Sequence, residues 1–257
     1  MYNNNEVTAV IKVETKGSIM YKLNNICVSD SHKVIHNRKW INVSQHPEAI
    51  KFIDYKEPYL YCLNTSNKTI TIDNFIFSDW DEIDETDIFE IMQNPYVQIN
   101  NRNDIHKKID SGFDGLTQII IKNGLIKNLK DINVGDILQN GEKVYGIVVI
   151  NGKNINEQFK FLLGNNLVIE GGPNLVINEP NELNESNKFI TTLSFKNNNY
   201  SSRNGKIKIN IKHHKLYHLL TDKNSFTIDN IKFYDYNAAI DIFLEKNKEK
   251  LLSKNYV

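Results

Sequence analysis

Apolar and polar positions alternate over short runs through most of this chain, with β-branched residues at many of the apolar places. Residues 7 to 13, 69 to 72, 118 to 121, 144 to 150 and 207 to 211 all read this way, so each is expected as a short strand. Polar turn chemistry separates the runs. Three Asn-Gly dipeptides, Asn123-Gly124, Asn140-Gly141 and Asn151-Gly152, supply the positive φ that tight hairpins need. A spacing of three and four appears near the C-terminus, where Ile240, Phe243, Leu244, Leu251 and Leu252 form one stripe. That stripe predicts a helix capped by Asp235 or Asn237, with lysines toward its end. Asp87-Ile88-Phe89 echoes Asp241-Ile242-Phe243, and Pro95 limits any helix there. The Asn, Glu and Ser clusters between residues 178 and 204 read as a long polar loop.

The pattern repeats. Residues 60 to 81 align without a gap on residues 216 to 237, an offset of 156, with ten of 22 positions identical, among them Leu60/Leu216, Thr65/Thr221 and Asp79/Asp235. Shared composition does not produce such a match, so the chain holds two copies of one unit. The expected fold is mainly β, with two tandem units, a helical connector and a C-terminal helix.

Composition narrows the function classes. The 257 residues carry 31 basic and 31 acidic side chains, and this balance gives no basic surface for nucleic acid or membrane. No apolar run reaches the length of a spanning helix. Asn makes up about one residue in seven, a bias that fits an AT-rich genome. Cys27 and Cys62 cannot build a disulfide framework, and no signal-peptide pattern follows Met1. The expected setting is therefore intracellular and reducing, in the cytoplasm of a host cell or a virion.

Two blocks of residues carry a family resemblance. Gly112-Phe113-Asp114-Gly115-Leu116-Thr117, a strand, Asn123-Gly124 and a second strand leading to Val134-Gly135-Asp136 resemble the opening block of the Hint superfamily of hedgehog autoprocessing domains and inteins. Ser29-Asp30-Ser31-His32 is similar to the Thr-x-x-His block of the same superfamily. Its continuation through Trp40, His46-Pro47 and Asp79-Trp80-Asp81 is similar to Hint-like domains of large DNA viruses. The blocks stand in the reverse of Hint order, and two tandem units resolve this. Residues 1–85 would be a truncated first unit with the histidine block, 86–110 a helical connector, and 111–257 a second unit with the opening block.

The resemblance implies autoprocessing chemistry. A Cys or Ser nucleophile attacks the peptide bond before it, and the block histidine protonates the leaving nitrogen. It assigns His32 and Ser29 to the histidine block, and Thr117 to the opening block. The nucleophile position is Gly112, which has nothing to attack with, and Ser111 is the nearest hydroxyl. No histidine lies between His106 and His213, where the second unit's block belongs. The expected function is thus a degenerate autoprocessing-type module or a fragment of a self-cleaving precursor. The alternative is a non-catalytic binding or structural module on the same scaffold. No cofactor or metal is implied, and the expected partner is a protein or a fused flanking domain.

Other candidates read more plainly. His213, His214 and His218 sit in strand-like surroundings, where an i, i+4 pair is about 13 Å apart. The acidic run from Asp79 to Asp87 places Asp84 where a calcium loop needs glycine, so Asp79 is expected as a turn residue and the rest as a solvated face. His36-Asn37 and Gly171-Gly172-Pro173 read as turns. Cys27 and Cys62 are expected as small core residues.

Overall fold

A computed structural model describes residues 5–93, 99, 101–163, 167–179, 188–191 and 205–254. The protein is mainly β, built from several antiparallel sheets.

Nine strands make up the first copy: β1 (Val7–Glu14), β2 (Met20–Leu23), β3 (Ile26–Ser29), β4 (Lys33–His36), β5 (Lys39–Asn42), β6 (Ile50–Lys51), β7 (Tyr59–Thr65), β8 (Thr69–Ile72) and β9 (Phe75–Ser78), followed by helix α1 (Glu85–Gln93). A short helix α2 (His106–Ile109) then leads to three strands that have no counterpart earlier: β10 (Phe113–Asp114), β11 (Gln118–Ile120) and β12 (Ile126–Asn128). The second copy runs through β13 (Val144–Asn151), β14 (Phe159–Leu163), β15 (Leu167–Gly171), β16 (Val176–Glu179), β17 (Lys188–Thr191), β18 (Gly205–Lys208), β19 (Lys215–Thr221), β20 (Ser225–Ile228), β21 (Ile231–Tyr234) and helix α3 (Tyr236–Lys254).

The duplication is therefore larger than the aligned 22 residues. Every pairing inside the first copy recurs in the second. The ladders β1·β7, β2·β3, β2·β6, β4·β5, β4·β9 and β8·β9 become β13·β19, β14·β15, β14·β18, β16·β17, β16·β21 and β20·β21. The copies join by an antiparallel ladder between β1 and β13. In it Ile11 lies opposite Val148, and these two positions are equivalents, since Ile11 pairs with Cys62 and Val148 with His218. A local two-fold axis thus passes between them.

One eight-stranded sheet results, in the order β18-β14-β15-β10-β19-β13-β1-β7. Alternation places every second residue of β13 in the interior, as its period of two requires. Apolar residues of both copies fill one of the cores, among them Ile11, Val148, Leu216 and Ile240, together with Ile88, Ile91, Ile105 and Ile109 from the segment expected as a connector.

Several local expectations change. The run expected as a strand over 207–211 stops at Lys208, and Ile211 is exposed. Asp235, rather than Asn237, caps α3, its Oδ1 accepting from the Ala238 amide at 3.0 Å. The stripe residues Ile240, Phe243 and Leu244 pack on the shared core, whereas the side chains of Leu251 and Leu252 lie outside the described residues. Asn123-Gly124 and Asn140-Gly141 do turn with positive φ at glycine, but Gly152 does not. Of the expected polar loop at 178–204, residues 188–191 form β17, and most of the rest lies outside the described residues. Among the described residues no helix is long and apolar enough to cross a membrane.

Candidate functional site

The histidine block lies where β3 turns into β4. His32 is half-buried beside Phe77, with ring centroids 5.9 Å apart. The Ser78 carbonyl can only accept, so His32 Nε2 donates to it at 3.1 Å and Nδ1 is left as the basic nitrogen. Burial pulls the imidazole below its ordinary pKa, while the Glu82 carboxylate and the Ser78 carbonyl pull it back up. Ser29 ends β3, and its carbonyl accepts from the His32 amide at 3.3 Å. Both residues line two adjoining cavities of about 510 and 380 Å³, which also share Val13, Leu60 and Trp80.

Neither cysteine is the small core residue expected. Cys27 is exposed on β3 and Cys62 half-buried on β7, and both line the smaller cavity. Burial, with help from nearby carboxylates, pushes the Cys62 thiol up to about 12. Such a thiol carries almost no thiolate at neutral pH and makes a weak nucleophile.

The second copy brings the opening block and the counterpart of the histidine block into contact. Phe113 pairs with Gly171 on one side and Tyr217 on the other, and the Gly172 amide donates to the Gly112 carbonyl at 2.9 Å. Equivalence follows from the ladders. Val34 bridges Phe77 and Ile177 bridges Phe233, and the repeat equates Phe77 with Phe233. Ser29 therefore corresponds to Gly172, and His32 to Leu175, which is fully buried. The second copy's equivalent of His32 is thus an aliphatic side chain.

Gly112, where the resemblance puts the nucleophile, is tightly surrounded. A Cβ on Gly112 would meet Ile150 Cδ1 and the Tyr217 carbonyl oxygen at 3.0 Å and Leu216 Cβ at 3.1 Å, tighter than comfortable packing allows. Ser111 is buried, and its Oγ accepts from the Asn174 amide at 3.1 Å. Thr117 sits before β11, half-buried, its amide bonded to the Asp114 carbonyl. The structure thus separates the sequence candidates into His32 and Ser29 on the first copy, and Ser111 and Thr117 on the second.

A buried polar cluster stands between the copies, and sequence reading missed it. Lys68 Nζ lies 2.7 Å from Asp81 Oδ2 and 3.4 Å from Asp79 Oδ2, all three side chains being essentially inaccessible. Asp81 is therefore no part of a solvated face. Tyr236 of the second copy donates its hydroxyl to Asp110 Oδ1 at 3.2 Å and accepts from Asn64 Nδ2 at 2.7 Å. Burial raises Asp110 to about 7 and Asp79 to about 6, with Lys68 opposing both. Burial and the Lys68 ammonium push His106 down to about 4.

His213 lies between Glu170, at 2.9 Å, and Asp114, at 3.3 Å, whereas His218 is fully buried among Phe113, Phe226 and Tyr236. His214, the i, i+4 partner of His218, is exposed, so that pair does not converge, and among the described residues no cluster of His, Cys, Asp and Glu could hold a metal ion. No family model, curated protein or solved structure matches the chain.

Proposed function

We propose that this chain is a degenerate Hint-like scaffold that works by binding a protein partner and does not cut its own backbone. One observation carries the reading: where the opening block meets the counterpart of the histidine block, the two chemical positions are Gly112 and Leu175. An acyl shift needs a nucleophile and a proton donor at that place. Neither residue can supply one. In the first copy His32 and Ser29 remain accessible from two cavities, with no strand of the opening-block type beside them among the described residues.

The test is incubation of the purified chain with dithiothreitol for several days, followed by intact mass. An unchanged mass is expected. Fragments ending at Asp110 or Ser111, or any cleavage that His32→Ala abolishes, would sink the scaffold reading.

A further inference from the structure

Of the three strands without a counterpart in the first copy, β10 alone enters the large sheet, and among the described residues nothing takes its place beside β3 and β7, which leaves a defined slot. In the second copy β10 bridges β15 and β19 and completes the sheet. The equivalents of β15 and β19 are β3 and β7. Among the described residues, the only strand partner of β3 is β2 and that of β7 is β1. Both line the cavity of about 380 Å³. A filler strand would join the small β3-β2-β6 sheet to the eight-stranded one, giving both copies the same order.

We infer that this slot receives an extended segment of another polypeptide by strand addition, with an aromatic side chain entering the cavity. The inference rests on the scaffold reading above, and it names that scaffold's partner chemistry. The second copy shows the occupant's form. Phe113 contacts the rings of His218, Phe226 and Phe233 at 5.2, 5.7 and 5.1 Å. The equivalents of these residues are Cys62, Ile70 and Phe77, and all three line the first copy's cavity.

Exposure points the same way. Ile228 is 4 % exposed in the core that holds Phe113, whereas its equivalent Ile72 is 43 % exposed. Tyr217 packs against the second copy's core, whereas Tyr61 is 68 % exposed. An apolar floor between two strands that each lack a second strand neighbour among the described residues fits strand addition, in which main-chain bonds give affinity and alternate side chains give selectivity.

Register and specificity follow from the copy that is filled. The incoming aromatic residue lies opposite Val28 and Tyr61, the equivalents of Gly171 and Tyr217. The wall is bulkier on the β3 side. A Cβ on Gly171 would stand 2.3 Å from the Gly112 carbonyl oxygen, and one on Gly172 would stand 2.8 Å from Ser111 Oγ. Val28 and Ser29 carry such atoms, so the residue before the aromatic must be small and sits further from β3 than Gly112 does from β15.

The probe is a fluorescein-labelled nonapeptide with the sequence of residues 110–118, titrated against the full chain by anisotropy. Saturable binding is expected, weakened tenfold or more when the peptide's Phe becomes Ala. Hydrogen exchange should slow at residues 26–29 and 59–65 on binding. Ile70→Trp fills the cavity and should weaken binding at least tenfold with the unfolding midpoint retained. Should that variant fail to fold, Cys62→Trp fills the same space from the neighbouring wall.

Absence of binding at 1 mM peptide, binding indifferent to the Phe, or protection elsewhere would overturn the proposal. So would a dimer that protects the same two segments without peptide, which would make a second copy the occupant. A chain that stays intact in thiol yet ignores the peptide defeats this proposal alone, whereas thiol cleavage defeats the scaffold reading and leaves the titration interpretable.

Discussion

The turn after β7 and the turn after β19 are the same piece of backbone put to different uses. In both, the carboxylate at the end of the following hairpin accepts from the first threonine amide: Asp79 from Thr65 at 3.1 Å, and Asp235 from Thr221 at 2.9 Å. The threonine hydroxyls donate to the carbonyls of Thr69 and Ser225 at 3.0 and 2.9 Å. Lys68 and Asn224 occupy the same left-handed position, with φ of 62° and 54°. Asn224 is exposed, while Lys68 is buried against two carboxylates and faces the second copy. Main-chain geometry has been kept, and the side chain decides whether the turn meets water or helps hold the copies together.

The largest expected effect tests that contrast. Glycine relieves the left-handed backbone at either position, so only the side chain's contribution remains. Lys68→Gly should lose about 3–5 kcal/mol by leaving buried carboxylates uncompensated. Asn224→Gly should stay within about 0.5 kcal/mol. Urea unfolding of the two variants reads the difference, and equal losses would mean that the cluster contributes nothing specific.

A second contrast is Cys62 against His218, which occupy equivalent positions. Burial holds the His218 imidazole down to about 4, against about 6.5 in the unfolded chain. Between those values the unfolded chain takes up a proton that the folded chain refuses, so this contribution is lost as pH falls, by about 2 kcal/mol at pH 5. Asp79 and Asp110 act in the opposite sense, because their raised values favour the folded state below about 4 and lose that advantage as pH rises through 6 to 7. His218→Phe should therefore gain about 2 kcal/mol relative to the parent chain on going from pH 7 to pH 5, read from urea midpoints. An unchanged pH slope would place the acid sensitivity elsewhere, with His106 the next candidate.

The smallest effect concerns His32. Its side chain gives one hydrogen bond to Ser78 and one ring contact, so His32→Ala should cost about 1 kcal/mol. A loss above about 3 kcal/mol in thermal or urea unfolding would make the residue a structural keystone rather than a lining group of an open slot.

Much of this architecture is legible in the order of residues alone. β1, β8, β11 and β13 fall where alternation places them, because a half-buried strand writes its period directly into the chain. The duplication is legible in residues 60 to 81, where turn-forming Asp and Asn positions recur at a fixed offset. The equivalence of His32 with Leu175 is not. The intervening segments share almost no identity, and only the matching ladders through Phe77 and Phe233 align them. Asp81 reads as part of a solvated face and Lys68 carries no signal, since a charged residue gives no local sign that a distant Asp110 and Tyr236 will close over it.

Local patterning was enough to specify the short strands, the turns, the capped C-terminal helix and the presence of two copies, because these depend on neighbours a few residues apart. It took the folded arrangement to join the copies through β1 and β13 in one sheet. The same arrangement buries a lysine between them and sets beside β19 a strand that has no counterpart beside β7 among the described residues. Those outcomes depend on which edges pair and which faces meet, and pairing between residues more than a hundred positions apart leaves no periodic mark on either partner.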